Sequence, residues 1–124
     1  MQLTEHRHEQ QMFVRKADAT QVVVIDRVFT TSVLLDTVDA QANFPARSVG
    51  ELDTVAIALI LARKPEVVLL GTGARATFPP QAVLGEFLRR GIGLETMDNA
   101  AAARTFNVLA GEGRKVVAVF LLPA

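Results

Sequence analysis

The chain has 124 residues, half of them hydrophobic, the size of one domain able to bury roughly two-thirds of its unfolded surface. Its 13 basic and 13 acidic residues cancel, which excludes the broad positive field that drives nonspecific binding to nucleic acid or a membrane surface. The absence of cysteine excludes a disulfide scaffold, a thiolate nucleophile and any sulfur-ligated zinc site.

Met1 to Gln11, MQLTEHRHEQQ, has neither an apolar signal run nor the acid-poor, Arg-rich character of a transit peptide. It reads as a flexible lead-in to a single domain spanning 1–124, and His6-x-His8 within it is too sparse for a metal site. From Gln21 to Leu35 the chain is rich in β-branched and bulky residues, interrupted at Asp26-Arg27 and Thr30-Thr31-Ser32, which predicts a strand pair. Ser48 with Glu51 three residues later has the form of a capping box, and Leu52, Val55, Ala56, Leu59 and Ile60 follow at helical spacing. Arg63-Lys64 place positive charge at the helix end and Pro65 stops it. The apolar run within this stretch, Thr54 to Ala62, is far short of the ~20 residues that span a bilayer.

Glu66 to Leu70 is a continuous apolar run of strand length ending at Gly71-Thr72-Gly73. Phe78-Pro79-Pro80 opens a second helix with Val83, Leu84, Phe87 and Leu88 as its buried face. A short strand from Ile92 to Thr96 follows. Asp98 caps a third helix through Ala102, Phe106 and Leu109, Gly111 and Gly113 flank its end, and Val116 to Leu122 is the last strand. Alternation of helix and strand from residue 48 onward implies parallel strands joined by crossovers. The expected fold is an α/β layered single domain: a mostly parallel central sheet flanked by helices, with an N-terminal β-strand pair that joins the sheet at an edge or packs beside it.

Pro65 to Gly73, Gly91-Ile92, Glu95-Thr96-Met97, Ala103, Thr105 to Leu109 and Glu112-Gly113-Arg114 together form a pattern. It resembles the domain-of-unknown-function family that includes mitochondrial complex I assembly factor 3, whose fold is Mth938-like. The resemblance covers Pro65 to Leu122, with a weaker echo at Val28 to Leu34. It implies a compact α/β domain of this length, no established catalytic residues and, by analogy only, a role in assembling a respiratory complex.

Three sets of residues invite a chemical reading. Gly71-x-Gly73-x-x-Ala76 with Glu95 superficially matches a dinucleotide fingerprint, but Pro79-Pro80 delay the helix that should receive the pyrophosphate. A milder reading has the amides of Gly71, Thr72 and Gly73, with Arg75, holding a phosphate or carboxylate; the structural alternative is a turn that needs glycine. Thr105, Asn107 and Arg114 belong to the family-like pattern, yet Asn107 has a structural use in bonding nearby backbone, and Arg114 in pairing with a carboxylate or capping carbonyls. With both histidines in the lead-in no Ser/His/Asp arrangement is credible, and neither Asp36 with Asp39 nor Glu95 with Asp98 is placed in a cleft by anything in the sequence.

The expected function is therefore that of a noncatalytic, assembly-factor-like binding protein in the cytoplasm that engages a protein partner, with no cofactor, no metal, no nucleic acid and no membrane-embedded segment. The alternative is a small-molecule binder or enzyme holding an anion at Gly71 to Arg75, and a third reading makes homo-oligomerisation the main interaction.

Overall fold

The computed structural model describes residues 12–123; the lead-in and its two histidines lie outside the described residues. Among the described residues, two sheets and three α-helices form the fold. Strands β1 (Val14–Ala17), β2 (Val22–Val24) and β3 (Arg27–Phe29) form a small antiparallel sheet in that order. Strands β4 (Val33–Leu35), β5 (Ala40–Gln41), β6 (Val67–Gly71), β7 (Gly93–Met97) and β8 (Val116–Phe120) form a second sheet in the order β5-β4-β8-β6-β7. The helices are α1 (Thr54–Leu61), α2 (Gln81–Leu88) and α3 (Asn99–Gly111).

The large sheet is mixed, which corrects the expectation of a mostly parallel one. Strand β6 runs parallel to β7 and to β8, but β4 is antiparallel to β8 and β5 to β4. Over both sheets, four of the six pairings are antiparallel. Crossover helices enforce parallel pairing only between the strands they join, and that alternation begins after β5. The expected strand pair is also divided: β2 and β3 close a two-residue hairpin beside the main sheet, whereas β4 enters it. Ser32 seals the entry, its hydroxyl accepting from the Leu122 amide at 2.9 Å and donating to the Leu122 carbonyl at 3.3 Å.

Strand β8 lies between β4 and β6 and is buried on both faces. Its period of two divides the core. Val116, Ala118, Phe120 and the following Leu122 pack with the small sheet and with Ala102, Ala103 and Phe106 of α3. Val117, Val119 and Leu121 pack with Ala56, Ile57 and Ile60 of α1 and Val83 and Phe87 of α2. The result is a sheet covered on one face by α3 and the small sheet and on the other by α1 and α2.

Two helix starts show how local chemistry competes. Asp98 caps α3 as expected, its carboxylate accepting from the Ala101 amide at 2.7 Å. Ser48 and Glu51 instead frame a 3-10 turn, Val49–Glu51; Ser48 makes no side-chain cap and Glu51 accepts from the Arg47 amide at 2.7 Å. Helix α1 starts at Thr54 on Asp53, which accepts from the Ala56 amide at 3.0 Å. The buried face shifts accordingly to Ala56, Ile57 and Ile60, leaving Val55 and Leu59 exposed. On α2, Val83 and Phe87 are buried as expected while Leu88 is 77% exposed.

Arg63 lies beyond the end of α1 and ties the helix to the β4–β5 hairpin. It donates to Asp36 and to Gln41, each at 2.8 Å, with Asp39 at 3.5 Å. Partial burial alone would raise the Asp36 pKa; hydrogen bonds from Arg63 and from the Val38 and Asp39 amides outweigh it and hold the carboxyl below the usual range.

Candidate functional site

The loop after β6 is built by glycines and one threonine. Gly71 closes the strand against α3, where a Cβ would run into Asn99 Oδ1 and press on Ala102. Gly73 takes φ 93°, a conformation that favours glycine. Between them the Thr72 amide donates to the Met97 carbonyl at 3.0 Å, so it is not free for an anion, contrary to the sequence expectation. The Thr72 hydroxyl donates to the Arg75 carbonyl at 2.6 Å and accepts from the Thr77 amide at 2.8 Å, closing the loop on itself. The Asn99 amide donates to the Gly73 carbonyl at 2.9 Å.

A dinucleotide cradle does not form. Helix α2 starts only at Gln81 behind Pro80, so Ala76 sits in the loop and no helix amino terminus follows the glycines directly. A smaller feature remains at the carboxyl ends of β6 and β8: a depression of about 130 Å3 lined by Arg47, Ser48, Val49, Thr72, Thr77 and Leu121. Nothing approaches within 4 Å of a Cβ position at Gly73, and Phe78 points to solvent. Thr72 is the expected anion ligand that reaches this depression, and Arg47, which the sequence did not single out, is its cation.

The family-pattern polar residues all have protein partners. Asn107 pairs with the main chain of Val14 in both directions, accepting from its amide and donating to its carbonyl at 2.9 Å each, and so anchors β1 to α3. Thr105 donates to the Ala101 carbonyl one turn back at 2.9 Å. Arg114 donates to Glu66 at 3.3 Å; the Lys115 amide and Arg114 together hold the Glu66 carboxyl below its ordinary range.

Asn99 is the polar residue that sequence reasoning missed. It is fully buried, and its Nδ2 donates to the Asp18 carbonyl at 2.9 Å and the Leu121 carbonyl at 3.2 Å, joining the small sheet's turn to the end of β8. Its Oδ1 has no hydrogen-bond partner and lies against Gly71, whose α-hydrogen in the Cβ direction is the weak donor left to it. The signal was an amide side chain directly behind a cap, Asp98, that already does the capping.

Helix α1 is apolar on all sides: its outer face exposes Val55 at 62% and Leu59 at 38%, with Ala58 between them. A groove of about 180 Å3 between α1 and α2 is lined by Thr54, Ile57, Ala58, Leu61, Glu86 and Arg90. Among the described residues no three or more His, Cys, Asp or Glu side chains gather as a metal site, and no helix is long and apolar enough to cross a membrane.

The family model described as a protein of unknown function (DUF498/DUF598) matches residues 3–121. The chain is 42% identical to protein XCC1710 of Xanthomonas campestris, solved by NMR, with a TM-score of 0.83 over 90% of this chain and 85% of that one. A Bordetella pertussis protein described as a Mth938-like domain shares the fold at 23% identity, with a TM-score of 0.75 over 91% and 87% of the two chains. Among curated relatives, the chain is 33% identical over 51% of its length to a 13 kDa major membrane protein of Francisella tularensis. It is also 33% identical, over 77% of its length, to NADH dehydrogenase [ubiquinone] 1 alpha subcomplex assembly factor 3 of Danio rerio. The aligned part spans about half of each of these curated relatives, 51% and 55% respectively.

Proposed function

Because the chain belongs to the family of proteins of unknown function designated DUF498/DUF598, we propose that it is a noncatalytic, assembly-factor-like protein whose task is to hold a protein partner. The observation that carries this reading is the outer face of α1. A helix apolar all round is ordinarily buried, yet here Val55, Ala58 and Leu59 face solvent beside a groove bounded by Glu86 and Arg90. Apolar centre and charged rim are the composition of a docking surface. By analogy with the name of the Danio rerio relative, the partner is a subunit of a membrane-associated respiratory complex, met from the cytoplasmic side.

The test is partner retention by the full chain and by a Val55→Lys/Leu59→Lys variant. Both sites are exposed, so folding should change by no more than about 0.5 kcal/mol per substitution, about 1 kcal/mol in all. A complex subunit held by the unsubstituted chain should be lost by the variant; equal retention by both would remove α1 from the interface and the reading with it.

The depression at Arg47, Thr72 and Thr77 favours a second reading, an anionic small-molecule site at the Gly71-Thr72-Gly73 loop near Arg75. Inorganic phosphate should then give saturable NMR shifts at the Gly73 and Thr77 amides, diminished by Arg47→Ala; unmoved signals would leave this loop a turn.

A further inference from the structure

Strand β7 is an edge of the large sheet, paired with β6 alone. The Gly93 amide donates to the Glu66 carbonyl and the Met97 carbonyl accepts from the Thr72 amide, so the odd-numbered residues of β7 turn their main chain toward β6. By the period of two, the amides and carbonyls of Leu94 and Thr96 point outward, and among the described residues they have no hydrogen-bond partner outside the β6 ladder. Edges of this kind are normally blunted by lysine, proline or a bulge. Within β7, GLETM, only Glu95 carries charge.

Helix α2 packs on β7 and supplies a flank to this edge. Glu86 and Arg90 line the groove toward α1, and Val83 and Phe87 are buried in the core. Leu84 and Leu88, one turn apart, occupy the remaining side, away from α1 and toward the sheet edge, and Leu88 is largely exposed. The edge thus offers unpaired main chain, leucines on the α2 side, and an exposed carboxylate at Glu95 on the other.

The geometry points to β7 as a docking edge for an extended segment of a partner protein, added antiparallel as a sixth strand, with a lysine or arginine opposite Glu95 and apolar residues on either side of it facing Leu88. This rests on the partner-binding reading above and assigns it a second surface. A second copy of the chain fits poorly. The two-fold register that uses Leu94 and Thr96 of both copies sets Glu95 directly against Glu95, in the non-hydrogen-bonded position where side chains are closest. A basic segment removes that repulsion and leaves the hydrogen bonds, which is how strand addition combines main-chain affinity with side-chain selectivity.

The test uses the full chain and a capped heptapeptide, Thr-Val-Lys-Val-Lys-Val-Thr, beside its Glu-for-Lys counterpart. In the free protein the Leu94 and Thr96 amides should exchange with solvent much faster than those of Leu69 and Leu70. The lysine peptide should slow them and shift the β7 and Leu88 signals saturably, and the glutamate peptide should bind at least tenfold more weakly. Glu95→Lys should reverse that preference while leaving the spectrum otherwise native. Slow exchange of Leu94 and Thr96 in the free monomer, no peptide-dependent shift at β7, or indifference to the Glu95 charge would each overturn the proposal, as would concentration-dependent dimerisation through β7. None of these outcomes involves Val55 or Leu59, so this edge and the α1 face fail or stand separately.

Discussion

Truncating Phe106 to alanine is expected to be the most damaging single change, costing about 3–5 kcal/mol of folding stability. The ring is fully buried where three layers meet: α3 carries it, the large sheet lies beneath, and the small sheet closes the same cluster through Val14, Val22, Val24 and Phe29. Removing it leaves a cavity that no one element can collapse into, because each is held elsewhere: β1 by Asn107, the turn at Asp18 by Asn99, and α3 by its cap at Asp98. With no Trp or Tyr in the chain, unfolding is best followed by far-ultraviolet circular dichroism in urea. A loss below about 1 kcal/mol would mean that the small sheet is not integral to this core.

Gly71→Ala is the second. The added methyl enters the space of Asn99 Oδ1 and Ala102, with the Asn99 Cα 3.4 Å away, and overpacking of this kind costs about 1–3 kcal/mol. A double-mutant cycle identifies the cause. Asn99→Ala alone is destabilising, because the Asp18 and Leu121 carbonyls lose their donor. Once that side chain is gone the Gly71 methyl has room, so the two costs together should fall short of their sum by at least about 0.5 kcal/mol. Strict additivity would show that the clash is with Ala102 or main chain instead. Glycine at 71 is thus explained by helix packing, before any ligand is invoked.

The elements legible in the sequence are those whose signals are local and uncontested. Asp98 is a good cap with nothing competing for the Ala101 amide, and the apolar runs at 67–71 and 116–120 are covered on both faces, so length and composition suffice. Helix α1 was misread at its start because two caps lie five residues apart. Ser48 and Glu51 match the capping pattern in type, but the chain turns once and restarts at Asp53, rotating the buried face toward Ile57. Strand β1 was not anticipated: it is four residues long, half-exposed and carries Arg15-Lys16, and its place depends on Asn107, 93 residues away. The mixed direction of the sheet is likewise decided by where β4 inserts, which no local pattern encodes.

The candidate site divides in the same way. Gly71, Thr72 and Gly73 were visible as a loop because glycines punctuate a strand end, and Asn107 and Arg114 have the structural partners their chemistry allows. Arg47 and Asn99 were not visible, since each acquires its role from residues distant in sequence: Thr72 and Leu121 for one, Asp18 and Leu121 for the other. The outer face of α1 was hidden by its own composition, because a helix apolar on every side offers more than one stripe at helical spacing, and the stripe read took in Val55 and Leu59, which lie outside.

The position of β8 bears on how the chain is made. Of all the described strands it is translated last, yet it is the middle one, hydrogen-bonded to β4 on one side and β6 on the other. Without residues 116–120, β5-β4 and β6-β7 would be two separate ribbons with apolar edges facing an empty slot. Neither ribbon has enough sheet to be stable alone, and both edges are open to the wrong partner. A chain cut before Val116 is therefore expected to show no cooperative urea transition by circular dichroism, because the strand that joins the two ribbons is missing.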